Sequence, residues 1–271
     1  MRAPVRVLLA GVAVLLATLG PAAGSSAQEP PPPSSIAAIG DSISQAFDVC
    51  CFYGNWPRHS WSTGDDGDDG VASHYERIRA RNPAIRGHRH NNAVTGSKMA
   101  DAAAQARATV GQGAQYVTIL MGANDLCDAG GLTPTATFRA QFEQAIGILR
   151  EGLPGSRVFV SSIPDLYQLW SLFRADPAAQ LVWQTARICP PMLRITNSEA
   201  DRQRVVQREL ELNRALEEVC AGWDRCRFDR GQTYGFRFTR AMVSRLDYFH
   251  PSLLGQATLA AETWQASWWG A

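Results

Sequence analysis

Short apolar runs alternate along the chain with longer stretches whose apolar positions recur at helical spacing. Ile36–Ile39 is a compact apolar run closed by Gly40, and Tyr116–Met121 and Val158–Ser161 repeat the pattern. Runs of this length predict buried strands. Asn91–Val94 and Arg225–Phe228 carry the same signal more weakly and read as two further strands. Between them, Val71–Arg81, Met99–Val110, Thr135–Gly152 and Ala200–Ala221 read as helices; in the last, Val205, Leu212, Leu216 and Val219 fall on one face. A final helix starts after Pro251 and runs towards Trp264. Strands alternating with helices imply crossover connections, hence an α/β fold: a three-layer α/β/α sandwich around a mostly parallel, flavodoxin-like sheet of about five strands. Ligands in such sheets bind beyond the carboxyl ends of the strands. Asp165–Thr196 is the least regular stretch and reads as an insertion bordering that edge.

The first residues follow another logic. Arg2 and Arg6 precede an apolar run, Val7–Leu19, and small residues continue to Ser25-Ser26-Ala27. This is the pattern of a secretory leader, residues 1–27, cleaved after Ala27. The run is shorter than the about 20 apolar residues a spanning helix needs. No cysteine lies at the cleavage point, which argues against a lipid anchor. Residues 28–35, with Pro30–Pro33, read as a Pro-rich tether, and 36–271 as one domain. Losing Arg2 and Arg6 would tip the 26 basic and 25 acidic residues to a slight negative excess. A near-neutral surface offers nucleic acid or an anionic membrane no electrostatic attraction. Six cysteines remain, an even number that in an exported protein predicts up to three disulfides. Cys220 and Cys226 join a helix end to a strand and are the preferred pair; the partners of Cys50, Cys51, Cys127 and Cys189 stay open. None of the cysteine spacings is that of a zinc site, so no metal or cofactor is expected.

Three segments carry candidate chemistry. Ile39-Gly40-Asp41-Ser42 follows the first strand, where glycine permits a tight turn and the serine lands at the start of a helix, its hydroxyl exposed. A helix cap is the structural alternative for Ser42. Gly122-Ala123-Asn124-Asp125 closes the third strand, and the Asn124 amide there can donate to an oxyanion without carrying charge; an Asx turn is its alternative. Near the C-terminus, Asp247-Tyr248-Phe249-His250-Pro251 sets a carboxylate three residues before an imidazole, the spacing of an acid–base pair on one loop. His59, His74, His88 and His90 lack that spacing.

Taken in this order, the three segments resemble the GDSL or SGNH hydrolase family, whose blocks contribute Ser, Gly, Asn and His. The resemblance runs from about Ile36 to Trp264 and places the glycine at Gly96, in Asn92-Ala93-Val94-Thr95-Gly96. It implies the SGNH hydrolase fold, with Ser42 as nucleophile, His250 as its base and Asp247 behind the histidine. It further implies an oxyanion hole made of the Ser42 and Gly96 N–H groups and the Asn124 amide. Ser60-Trp61-Ser62-Thr63-Gly64, Gly122–Cys127 and Asp247–Gln256 are similar to the phospholipase-B-like, secreted lipase/esterase branch. The expected activity is therefore hydrolysis of carboxylic esters, lipid esters among them, by a secreted monomer. A carbohydrate O-acetyl esterase of the same fold and a non-catalytic binding protein on this scaffold are the alternatives.

Other features have structural readings. Gly64–Gly70 is acidic and glycine-rich but lacks the alternating Asp and terminal Glu of an EF-hand loop, so a flexible solvated loop is expected rather than a calcium site. His88-Arg89-His90 reads as polar residues entering a strand. Trp170, Leu172, Phe173 and Trp183 either pack the insertion, the favoured reading, or line an acyl cleft. Trp264, Trp268 and Trp269 are expected to pack the last helix rather than form an exposed apolar patch.

Overall fold

A computed structural model describes residues 1, 3–4 and 29–270. The apolar run Val7–Leu19 and the expected cleavage point after Ala27 lie outside the described residues. Five strands, β1 (Ile36–Gly40), β2 (Arg89–Asn91), β3 (Tyr116–Leu120), β4 (Arg157–Val160) and β5 (Cys226–Phe228), form one sheet of order β2-β1-β3-β4-β5. Every pairing is parallel. The helices are α1 (His74–Arg81), α2 (Ala102–Gly111), α3 (Ala123–Cys127), α4 (Thr135–Gly152), α5 (Leu166–Phe173), α6 (Pro177–Thr185), α7 (Pro190–Leu193), α8 (Glu199–Ala221), α9 (Gln232–Gly235) and α10 (Leu253–Ala266). The strand order is the doubly wound one with its switch point between β1 and β3.

Period-two side-chain alternation sorts the strand residues into two cores. Ala37, Ile39, Val117, Ile119, Val158 and Val160 face one side, where α2, α4 and α8 supply Ala106, Phe142, Leu149 and Leu216. The intervening Ile36, Tyr116 and Phe159 face the other, against Tyr75 and Ile78 of α1 and Trp264 of α10. Both faces are thus covered, which explains why β1 and β3 are apolar throughout. Trp264 and Trp269 pack in this second core, as expected, and Trp268 lies partly buried against it. His74 is buried there too, between the Tyr116 hydroxyl and the Thr263 hydroxyl, each 2.9 Å away. Burial lowers its pKa to about 3, so the ring stays neutral.

Several expectations need correction. The second strand is Arg89–Asn91, not Asn91–Val94. It is an edge strand with half-buried polar side chains, so hydrophobicity does not mark it. The helix expected from Val71 begins at His74, because Ser73 caps it by accepting the Glu76 N–H. The stretch expected to be irregular, Asp165–Thr196, holds α5, α6 and α7, with Trp170, Phe173 and Trp183 buried in the main core. Residues 29–35 lie along the domain: Asn82 donates to the Pro32 and Pro33 carbonyls, and the Trp269 indole to that of Pro30.

Three disulfides are formed. Cys220–Cys226 ties α8 to β5, as the sequence suggests, while Cys127–Cys189 joins the end of α3 to the start of α7 and Cys50–Cys51 links neighbours. Chain-entropy arguments give the Cys127–Cys189 bridge, which spans 62 positions, about 4 kcal/mol and the Cys220–Cys226 bridge about 2 kcal/mol.

Candidate active site

The carboxyl ends of β1 and β3 turn sharply into the site. At Gly40 a Cβ would stand 2.5 Å from the Ser44 Oγ and 2.8 Å from the Leu120 carbonyl, so only glycine fits. Gln105 of α2 then clasps Gly40: its amide oxygen accepts the Gly40 N–H (2.8 Å) and its Nε2 donates to the Gly40 carbonyl (3.0 Å). The expected helix after Ser42 does not form. Ser42–Asp48 is a run of turns, at whose start the Asp41 Oδ1 accepts the Ile43 N–H, and Ala46 and Asp48 take positive φ of 49° and 53°. Gln256 of α10 holds the far side of this turn, accepting the Trp61 N–H and donating to the Ile43 carbonyl (2.8 Å).

His250 arrives on a loop anchored by an isolated bridge between Val243 and Pro251 and by the Ser244 N–H bonding to the His250 carbonyl (2.8 Å). Its Nε2 lies 2.7 Å from the Ser42 Oγ, and its Nδ1 faces the Asp247 Oδ2. The other carboxylate oxygen, Oδ1, accepts the N–H groups of Phe249 (2.9 Å) and His250 (3.0 Å). Burial pushes the Asp247 carboxyl up. The His250 hydrogen bond and charge, with those two N–H groups, outweigh it and hold the carboxyl below the usual range. An ionised carboxylate only accepts, so the proton sits on Nδ1, leaving Nε2 free to accept from the Ser42 hydroxyl. A serine, imidazole and carboxylate so aligned can transfer the serine proton as the oxygen attacks an electrophile.

The segments that follow the two strands flanking β1 carry the candidate donors. The backbone N–H groups of Ser42 and Gly96 donate to no protein acceptor among the described residues. Gly96 has φ +85°, a conformation that suits glycine, inside the turn closed by the Ser97 N–H on the Val94 carbonyl. Asn124 is the second residue of α3 rather than the end of the strand; its Nδ2 donates to the Ser97 carbonyl at 2.9 Å, which leaves one amide hydrogen unspent. Gly122 caps α3 at φ +130°, a conformation in which any side chain would be strained, and a Cβ there would also press on Ile163 Cδ1 at 2.5 Å. All five residues singled out from the sequence, Ser42, Gly96, Asn124, Asp247 and His250, therefore lie at this one edge.

Two spaces adjoin them. An open cleft of about 260 Å³ is lined by Gly96, Lys98, Asn124, Asp128, Arg187 and Pro190. An apolar cavity of about 60 Å³ is lined by Ile43, Ala123, Leu169, Leu172, Phe249 and Leu259 among others, three of which are chain neighbours of Ser42, Asn124 and His250. Two buried carboxyls flank the turn. Burial pushes Asp41 up to about 6, against the pull of the Ile43 N–H, and also raises Asp125, whose Oδ2 accepts the Met99 N–H.

Away from this edge, the acidic loop is pinned rather than free. Asp69 meets His59 Nδ1 at 2.6 Å, Asp66 pairs with Arg58 at 2.7 Å and Asp65 with Arg89 at 2.5 Å. His59 thus has carboxylate partners that local spacing does not reveal. Gln105 and Gln256 support the site and were missed in the sequence; a polar residue inside an apolar helical face, as Gln105 is among Ala102, Ala103 and Ala106, is the signal that marks the first.

A parallel sheet presenting this serine–imidazole–carboxylate chain beside unspent N–H donors is the architecture of a serine ester hydrolase. The model of the GDSL-like lipase/acylhydrolase family matches residues 38–258, and the chain belongs to that family. Among solved structures, it is similar to an acetyl xylan esterase, AlAXEase (TM-score 0.53, 13% identity, covering 86% of this chain and 98% of that one). It is also similar to the lipase/acylhydrolase from Enterococcus faecalis (TM-score 0.51, 18% identity, covering 84% and 92%). At these identities the likeness is one of fold. A search among curated proteins finds no match.

Proposed function

We propose that this is a secreted hydrolase of acyl esters, lipid esters among them, working through an acyl-enzyme on Ser42. The observation that carries the reading is the 2.7 Å contact between Ser42 Oγ and His250 Nε2, with Asp247 behind the ring. Ser42 attacks the ester carbonyl as His250 takes its proton, and the Asp247 carboxylate stabilises the imidazolium. His250 then protonates the leaving alcohol, and water repeats the sequence to release the acid. The Ser42 and Gly96 N–H groups and the spare Asn124 hydrogen receive the oxyanion. The apolar cavity beside Ile43 and Phe249 supports an acyl chain as the buried portion of the substrate. Three disulfides support export, because such bonds persist in oxidising compartments.

A second reading, a carbohydrate O-acetyl esterase, is favoured by the polar lining of the open cleft, where Lys98, Asp128 and Arg187 suit a hydrophilic alcohol. Rates on p-nitrophenyl esters of graded length, phosphatidylcholine and acetylated xylan separate the two. Acyl-lipid hydrolysis predicts turnover that persists beyond acetate, whereas a sharp preference for acetate overturns it. Labelling of Ser42 by a fluorophosphonate, lost in His250→Ala, is the expected test of the nucleophile; an unlabelled protein is a binding protein instead.

A further inference from the structure

Apart from Met1, eight large apolar side chains stand exposed among the described residues, and four of them lie on three loops that carry site residues. Phe52 (73% exposed) and Tyr53 (82%) follow the Ser42 turn, Val94 (58%) sits two positions before Gly96, and Leu246 (43%) directly precedes Asp247. The loops are tied to one another. The Thr95 hydroxyl donates to the Asn55 amide oxygen (2.5 Å), the Gln45 Nε2 to the Ala93 carbonyl, and the Ser244 hydroxyl to the Asp48 carbonyl. Tyr53 meets Phe47 edge-on with ring centroids 5.0 Å apart, and Phe47 lies 5.0 Å from the His250 ring. One ring thus separates an exposed aromatic side chain from the imidazole of the site. Apolar side chains gathered in one place, unlike those scattered singly, mark an interaction surface.

The aromatic tip is held in place. Asp48 accepts the Gly54 N–H on its carboxylate (2.8 Å) and donates its own N–H to the Gly54 carbonyl (2.9 Å). The Trp56 indole donates to the Phe52 carbonyl (3.0 Å), and the Cys50–Cys51 disulfide lies just before Phe52. A loop ordered in advance forfeits little conformational entropy on docking. Charge then chooses the occupant. Residues 49–56 and 91–97 contain no charged side chain, Asp48 and Asp247 are buried, and the one exposed charge in 243–251 is Arg245. These loops present no exposed acid to repel a lipid phosphate, and aromatic rings favour the boundary between water and acyl chains. A symmetric pair of such faces would instead bring two Arg245 side chains together with no acid on these loops to pair them.

We propose that Phe52, Tyr53, Val94 and Leu246 form a docking face for the surface of a lipid aggregate, which seats the mouth of the Ser42 site against its ester substrate. The proposal rests on the acyl-lipid reading and deepens it. Apolar contact rather than charge holds the protein there, so a zwitterionic surface suffices and salt does not release it.

Binding is measured by cosedimentation with phosphatidylcholine vesicles, in Ser42→Ala so that the lipid is not consumed. Ser42→Ala should bind at low and high salt alike. Adding Phe52→Ser should weaken binding about tenfold, the loss expected from one large apolar side chain, and Phe52→Trp in its place should retain it. With Ser42 intact, Phe52→Ser should slow hydrolysis of vesicle phosphatidylcholine about tenfold. It should leave kcat/KM on monomeric p-nitrophenyl butyrate unchanged, which also reports that the variant is folded. No cosedimentation, cosedimentation indifferent to Phe52→Ser, or release by salt alone overturns the proposal. So does a dimer in sedimentation velocity that Phe52→Ser dissolves, because a second copy then occupies the face. A sharp preference for acetate among soluble esters would sink the acyl-lipid reading without any vesicle being present. Vesicle binding lost while longer soluble esters are still turned over sinks the docking face alone, so the two failures are distinguishable.

Discussion

Asn124→Ala separates transition-state stabilisation from binding and from folding. The Asn124 amide has two hydrogens; one is spent on the Ser97 carbonyl at 2.9 Å, which leaves the other for the proposed oxyanion. Truncation loses both bonds, with different consequences. The oxyanion bond forms only as the carbonyl becomes tetrahedral, so its loss falls on kcat and leaves KM nearly unchanged. Losing one such donor costs roughly 3–4 kcal/mol, a fall in kcat of about a hundredfold to a thousandfold. The bond to Ser97 exists in the resting protein, and because Ser97 is buried, its carbonyl loses a donor that water does not readily replace, so stability should fall by about 1–3 kcal/mol. Steady-state kinetics on a soluble p-nitrophenyl ester give the first number and a urea melt the second. Unchanged kcat in a folded variant would remove Asn124 from the oxyanion hole. A raised KM at constant kcat would recast it as a substrate-binding residue.

Asp247→Asn should reduce kcat less than Ser42→Ala or His250→Ala, because the His250 loop is also held by Ser244 and Pro251; equal loss in all three would make the carboxylate indispensable. Leu172→Trp, at the wall of the apolar cavity, should slow esters of longer acids while sparing acetate, and an unaltered chain-length profile would remove the acyl group from that cavity. His74 has a folded pKa of about 3 against 6.5 when unfolded, so below 6.5 the unfolded chain takes up a proton that the native ring refuses. Its stabilisation is present above 6.5 and drains as pH falls towards 3, with a limiting slope of about 1.4 kcal/mol per pH unit. Asp41, raised to about 6, works in the opposite sense, binding its proton first in the native state. Comparing urea melts of wild type and His74→Gln between pH 7 and pH 4 therefore isolates the histidine, and parallel curves would contradict the burial argument.

What was legible in the sequence follows from how locally each feature is encoded. β1, β3 and β4 are covered on both faces, so their apolar runs stand out, whereas β2 meets only β1 and wears Arg89, His90 and Asn91. The helices α5 to α7 were hidden because they are short and restart at Asp176-Pro177 and Cys189-Pro190, so no apolar period persists long enough to register. Ser42, Asn124 and His250 were recognisable because chemistry limits their residue types and the fold limits their order.

The absence of a helix after Ser42 bears on how the oxyanion is held. A helix N-terminus supplies several converging N–H groups and the favourable end of a macrodipole. Here the positive φ of Ala46 and Asp48 breaks the turn before such a dipole can build, so the proposed oxyanion hole draws on three separate donors whose positions are set independently. Donors on different loops need rigid supports if they are to meet one oxygen. Gln105 supplies one on the α2 side, clasping Gly40 and donating to the Ser97 hydroxyl, next to Gly96 and the carbonyl that Asn124 holds. Gln256 supplies the other from the opposite layer, through Ile43 and Trp61. Two buried amides, one from each helical layer, thus couple the packing of the sandwich to the placement of Ser42. A polar side chain in either core costs stability unless its bonds are satisfied, and both glutamines bond through oxygen and nitrogen alike. The same reasoning explains why these positions hold glutamine rather than leucine: an apolar residue would fill the volume but leave the turn around Ser42 free to move.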